Sequence, residues 1–223
     1  RSFAGATATE SGWNVRLGFE QQQATSTASP TSLNGRYDVD AKFALLSHQA
    51  GANGVFSVLI ADQSGNTNAA GFESHASGQS YGLGFGATLG FGRLDLSLVQ
   101  GEFRAHGSRN GQSFANQRTN ATSFSARLSL GQWGGVAPYL GLSRNIAQTD
   151  AFAETGTGAH LNVNASRQAE VLAEVGFGYS YALGDAAAFS LNIAYEHALS
   201  PDGRDLTASF ADATAPTTFQ VTA

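Results

Sequence analysis

The sequence predicts an all-β chain: a transmembrane, antiparallel, up-and-down β-barrel. Three observations carry this. Apolar residues recur with period two in segment after segment. Only 13% of the 223 residues are charged, against roughly 25% in soluble domains, yet no window approaches the roughly 18 continuous apolar residues of a membrane helix. Long and short polar connections alternate along the chain. Apolar surface without such a helix belongs in lipid only as a closed barrel, because every backbone N–H and C=O in hydrocarbon needs a partner.

Successive side chains of a strand point to opposite faces, so each alternating segment reads as a two-faced strand. Trp13, Val15, Leu17 and Phe19 alternate with Asn14, Arg16, Gly18 and Glu20. Tyr37, Val39, Ala41, Phe43 and Leu45 alternate with Asp38, Asp40 and Lys42. Phe56, Val58 and Ile60 form a weaker third strand. Tyr81, Leu83, Phe85, Ala87, Leu89 and Phe91 enclose Gly82, Gly84, Gly86 and Gly90, and Leu94, Leu96 and Leu98 follow. Phe124, Ala126, Leu128 and Leu130 alternate with Ser123, Ser125, Arg127 and Ser129, and Leu140 pairs with Leu142. Val171 to Tyr181 alternates about Glu174, Gly176 and Gly178; its Ala and Glu residues also suit a short helix at the start, but the continuing alternation favours a strand. Phe189, Leu191, Ile193 and Tyr195 oppose Ser190, Asn192, Ala194 and Glu196. Strands near Leu206–Phe210 and from Phe219 bring the reading to ten strands and an incomplete eleventh.

The two faces define the candidate residues. The lipid-facing set is Trp13, Leu17, Phe85, Leu89, Leu128, Val175, Phe177, Leu191 and Ile193. The lumen-facing set is Arg16, Glu20, Asp38, Asp40, Lys42, Gly82, Gly84, Gly86, Ser125, Arg127, Glu174, Asn192 and Glu196. The glycine file either leaves room in the lumen or lets the strand bend. Aromatic residues gather near strand ends, as in the girdles of membrane barrels.

The segments Ala24–Gly35, Gln63–Ala76, His106–Gln117 and Ala151–Asn164 read as long loops. Those around Gln49–Gly54, Gly92–Arg93, Gln132–Gly135 and Gly184–Asp185 read as short turns. Outer-membrane barrels carry long external loops and short periplasmic turns, so the first strand is expected to start on the periplasmic side.

Chemistry is sparse. With no Cys, disulfides, thiolate metal sites and cysteine nucleophiles are excluded. The five His residues show no chelating spacing, so no metal or other cofactor is expected. No G-x-S-x-G elbow is present, and Gly82–Gly86 lacks the register of a phosphate loop. No catalytic residue is assigned. A net charge of −5 with scattered Arg and one Lys argues against nucleic acid. Asn120-Ala121-Thr122 and Asn164-Ala165-Ser166 match a glycosylation sequon, a three-residue pattern that carries no weight by itself.

One stretch brings a family into view. Ala137-Pro138-Tyr139-Leu140-Gly141-Leu142-Ser143-Arg144 resembles the P-Y-x-G-L-x-x-R strand of bacterial autotransporter β-domains. Ala151-Phe152-Ala153-Glu154-Thr155-Gly156 is similar to that family's G-F/Y-x-E-x-G stretch, with Ala151 where Gly is usual. Leu161-Asn162-Val163, Ala173-Glu174-Val175-Gly176, Ala194-Tyr195-Glu196-His197 and Phe219-Gln220-Val221 resemble the sequel, in order. The resemblance implies a twelve-stranded outer-membrane barrel, the translocator of type V secretion. It would be joined to an upstream passenger by a helix in the lumen and inserted by the barrel-assembly machinery. Against that pattern, residues 1–11 are expected to be the end of the linker and 12–223 a barrel lacking its closing strands. The absence of Met is expected for a chain that begins inside a longer reading frame. The alternatives are a porin-like or adhesin barrel without passenger, and a soluble secreted β-sandwich binding module.

Overall fold

In the computed structural model, described for residues 12–26, 35–69, 71–156, 160–182, 188–202, 205–210 and 218–222, the chain is built of strands. They are β1 (Trp13–Ser26), β2 (Gly35–Ala50), β3 (Gly54–Ala69), β4 (Phe72–Leu89), β5 (Gly92–Arg109), β6 (Gln112–Leu130), β7 (Val136–Thr149), β8 (Phe152–Ala153), β9 (Leu161–Val163), β10 (Ser166–Ala182), β11 (Ala188–Asp202), β12 (Asp205–Phe210) and β13 (Thr218–Thr222). The segment from Val171 is thus strand, and Gly82–Gly86 lies inside β4. Among the described residues no helix is long and apolar enough to cross a membrane. The expected linker 1–11 and the turn at Gly184–Asp185 lie outside the described residues.

A nine-stranded antiparallel sheet runs in the order β1-β2-β3-β4-β5-β6-β7-β10-β11. Each strand pairs with its chain neighbour, except that β8 and β9 interrupt the step from β7 to β10. Among the described residues no ladder joins the edges β1 and β11. β12 and β13 do not extend this sheet as the eleven-strand reading expects. They form a four-stranded sheet ordered β13-β12-β9-β8, because β9 takes the pairing edge of β12 through Ala208↔Val163 and Phe210↔Leu161.

The expected loops are corrected by the ladders. Gln63–Ala76 and His106–Gln117 are not loops: β3 and β4 pair out to Ala69↔Phe72, and β5 and β6 out to Arg109↔Gln112. β1 and β2 pair out to Ser26↔Gly35; residues 27–34 of that connection lie outside the described residues. The physical reason is length. β4, β5 and β6 hold 18, 18 and 19 residues, whereas roughly 9–11 cross a hydrocarbon layer. The part of these strands nearest residues 69 and 110 is largely polar on both faces and lacks apolar alternation, so it reads as loop. The Asn110-Gly111 pair closes the β5–β6 hairpin with φ of 49° and 86°. Two residues at positive φ match the right-handed twist of a tight hairpin. The sheet thus has a tip end, at residues 69–72 and 109–112, and a base end, at 50–54, 89–92 and 130–136.

Candidate functional site

Register sorts the side chains into two files. One is apolar: Leu46↔Val58↔Leu83↔Leu98↔Phe124 run directly opposite one another across β2 to β6. The band continues through Leu140↔Val175↔Tyr195 on β7, β10 and β11. These side chains are exposed: Leu17 by 75%, Leu83 by 60% and Tyr195 by 66%. Trp13, Leu17, Phe85, Leu89, Leu128, Val175, Phe177, Leu191 and Ile193 all belong to this file.

The other file is small and polar. Ser47↔Ser57↔Gly84↔Ser97↔Ser125↔Ser143 form one row across β2 to β7. Its hydroxyls bond in pairs, Ser47 to Ser57 at 3.0 Å and Ser97 to Ser125 at 2.5 Å. Toward the base end the next row is Gly86↔Asp95↔Arg127↔Gly141↔Glu174↔Glu196. There Arg93 Nε donates to Asp95 at 2.9 Å. The Arg127 guanidinium sits 3.4 Å over the Tyr139 ring. The Tyr139 hydroxyl donates to Glu174 at 2.8 Å and lies 3.2 Å from Asn192 Oδ1. Arg16, Glu20, Gly82, Gly84, Gly86, Ser125, Arg127, Glu174, Asn192 and Glu196 share this file.

Asp38, Asp40 and Lys42 do not. Phe19↔Lys42↔Asp62 and Asp38↔Asn66 put them on the same side as Leu17 and Ile60. β2 is apolar on both faces near its centre, with Phe43 and Leu45 on one and Ala44 and Leu46 on the other, so its own alternation is ambiguous. The partners decide it. Asp38, Asp40 and Lys42 lie on the polar extension toward the tip end, where Arg36 Nε donates to Asp38 at 2.9 Å.

The glycines have a use that the sequence reading missed. On the small file Gly18 faces Phe43, Gly78 faces Phe103, Gly107 faces Phe114 and Gly176 faces Tyr139. In each case a Cβ on the glycine would collide with the ring opposite. The glycines are seats for rings folded flat on the sheet, and they leave the space above it clear. The legible signal was the pairing of glycine with a cross-strand aromatic, which needs the register to be seen.

At the tip end the connector after β7 is tied down. Glu154, 5% exposed, receives Arg109 Nε at 2.8 Å and Nη2 at 2.7 Å, and the Leu161 N–H at 3.0 Å. These contacts hold the Glu154 carboxyl below the usual carboxylate range, the Arg109 hydrogen bonds contributing most, and they raise Arg109 in turn. Backbone bonds join Ser113 and Thr155 in both directions. Phe114 lies between Phe72 and Phe152, with ring centres 6.1 and 5.5 Å away. Among the described residues no group of three or more His, Asp and Glu is placed to hold a metal ion.

A two-faced antiparallel sheet, with a continuous apolar belt on one face and small polar side chains on the other, has the pattern of a membrane β-barrel wall. The comparisons with known proteins make the class specific. The family model described as autotransporter β-domain matches residues 39–223, and the chain belongs to that family. The translocator domain of the autotransporter NalP from Neisseria meningitidis has the same fold. The two superpose with a TM-score of 0.77 at 17% identity, over 98% of this chain and 85% of that one. A search of curated proteins returned no match. The chain is therefore a transport module of the bacterial outer membrane, linked to a passenger whose translocation it supports. The porin, adhesin and soluble-sandwich alternatives receive no support.

Proposed function

We propose that the apolar file meets lipid and that the glycine–serine file lines the lumen through which translocation proceeds. The observation carrying this is the exposed apolar belt on all nine strands of the main sheet, opposite a file whose rings are laid flat on glycine. In water such a belt, far larger than the few hundred Å² of apolar patch on an ordinary soluble protein, is unfavourable. In hydrocarbon it is required. Flat rings and a serine row keep the lumen wide enough for a linker helix, and the ionisable row of Asp95, Arg127, Glu174 and Glu196 gives that helix polar partners. Residues 1–11 are the end of that linker and 12–223 the barrel domain, whose wall is the nine-stranded sheet. The tip end stands outside the cell and the N-terminus of β1 is periplasmic, because strand extensions polar on their outer face belong beyond the outer leaflet. The barrel-assembly machinery inserts the chain. Its work is transport, with no catalytic residue of its own.

Leu191 and Asn192 are neighbours on β11 with opposite faces. Leu191→Arg in the full-length protein is expected to cost about 2–4 kcal/mol near the membrane midplane and to deplete the heat-modifiable folded band on gels. Asn192→Arg is expected to leave that band intact. Equal loss from both, or the reverse order, sinks the assignment of faces.

A further inference from the structure

The sheet brings together two histidines that lie far apart in sequence. His75 on β4 and His106 on β5 are direct cross-strand partners. Their ring centres lie 5.2 Å apart, with the planes at 52°. Two imidazoles that each bind one tetrahedral ion at about 2.0–2.1 Å have ring centres about 5 Å apart. The rings thus already stand at the separation an ion would impose.

The protonation pattern also fits. His75 Nδ1 lies 2.7 Å from Asn66 Oδ1, an acceptor only, so Nδ1 carries the hydrogen. The lone pair of the neutral ring is then on Nε2. Asn66 thereby plays the part of the outer partner that fixes tautomer and ring orientation in histidine metal sites. Asn66 and His75 are themselves direct partners on β3 and β4, so the three side chains form one row. That row lies beyond the apolar belt on the tip-end extension. An open groove of about 600 Å³, lined by Asn66, Glu73, His75 and His106 among others, gives an ion access to the pair.

We propose that His75 and His106 form a two-histidine site for a borderline divalent ion such as Zn²⁺, Cu²⁺ or Ni²⁺. Imidazole nitrogen suits these ions and not Mg²⁺ or Ca²⁺. With only two protein ligands the remaining positions are left to water or to an external donor, so the site is one for capture and exchange at the surface of the wall. It bridges β4 and β5 and is independent of which way the barrel is oriented.

The test uses full-length protein in detergent micelles, titrated with Zn²⁺ by calorimetry and with Cu²⁺ by electron paramagnetic resonance. One ion per chain is expected at this site, with hyperfine coupling to two ring nitrogens and complete reversal by EDTA. His75→Ala and His106→Ala should each weaken binding by at least about tenfold, and Asn66→Ala by a similar factor through lost orientation. His197→Ala should leave this binding unchanged. Heat-modifiable gel migration of each variant checks that the barrel has folded. The proposal is overturned if the double variant His75→Ala/His106→Ala, folded by that check, binds as tightly as the parent. It is equally overturned if the parent shows no two-nitrogen signal.

Discussion

Glu154 and Gly176 show how much rests on single side chains. The Glu154 carboxylate is buried under two Arg109 hydrogen bonds and one backbone N–H. Its pKa is lowered in the fold, so it adds stability above the ordinary carboxylate range, and that stability is lost as the pH falls through its lowered value. The contacts of Thr155 and of Leu161 should therefore hold at pH 6 and loosen well below pH about 4, read as faster amide exchange of these two residues. Glu154→Gln should loosen these contacts already at pH 6 and abolish the pH step. Glu154→Gln keeps one acceptor for Arg109 but loses the charge-assisted pairing, and because the guanidinium is partly exposed to water the cost is about 1 kcal/mol. At Gly176 the demand is steric. A Cβ there would lie 2.5 Å from Tyr139 Cζ and 2.5 Å from the Ile193 carbonyl oxygen. Gly176→Val should push Tyr139 off Glu174 and destabilise the wall by about 1–3 kcal/mol, seen as a lower unfolding temperature of the folded gel band.

At the scale of the element, the strands are longer than the roughly 9–11 residues that cross a hydrocarbon layer. What the sequence shows as loop and strand is one continuous ladder whose lower part alternates and whose upper part does not. The alternation of Tyr81 to Leu89 was legible because one face there is apolar and the other is glycine and threonine. Gln63–Ala76 was not, because it is largely polar on both faces and lacks the contrast that period-two reading depends on. Asn110-Gly111 was the overlooked clue, since that pair marks a two-residue hairpin turn. Gly111→Val, which forces a branched side chain to φ of 86°, should cost about 1–2 kcal/mol. The effect should be confined to amide exchange near Arg109–Gln112, with the band below untouched. β2 shows the opposite failure: Phe43 and Leu45 against Ala44 and Leu46 give no contrast between faces, and only its partners β1 and β3 settle where Asp38, Asp40 and Lys42 lie.

For the whole molecule, fold class was open to reading because it rests on a repeated pattern, whereas the interior was not, because it rests on pairings between distant residues. No local rule places Tyr139 over Gly176, or Glu154 on Arg109, or His75 beside His106. The small file across β2 to β7 and the charged row below it arise from nine strands in one register. The edges at β1 and β11 and the separate sheet of β8, β9, β12 and β13 show where that register stops. The ladders that run out to Ala69↔Phe72 and Arg109↔Gln112 also change what the molecule offers to its surroundings. Backbone already committed to a ladder does not fit the extended, unpaired groove of a protease, and it presents a fixed relief to an antibody in place of a shifting one. With the tip end outside the cell, as proposed above, the part of these strands beyond the apolar belt is masonry and not fringe: hard to shave from a living cell, and recognisable by shape.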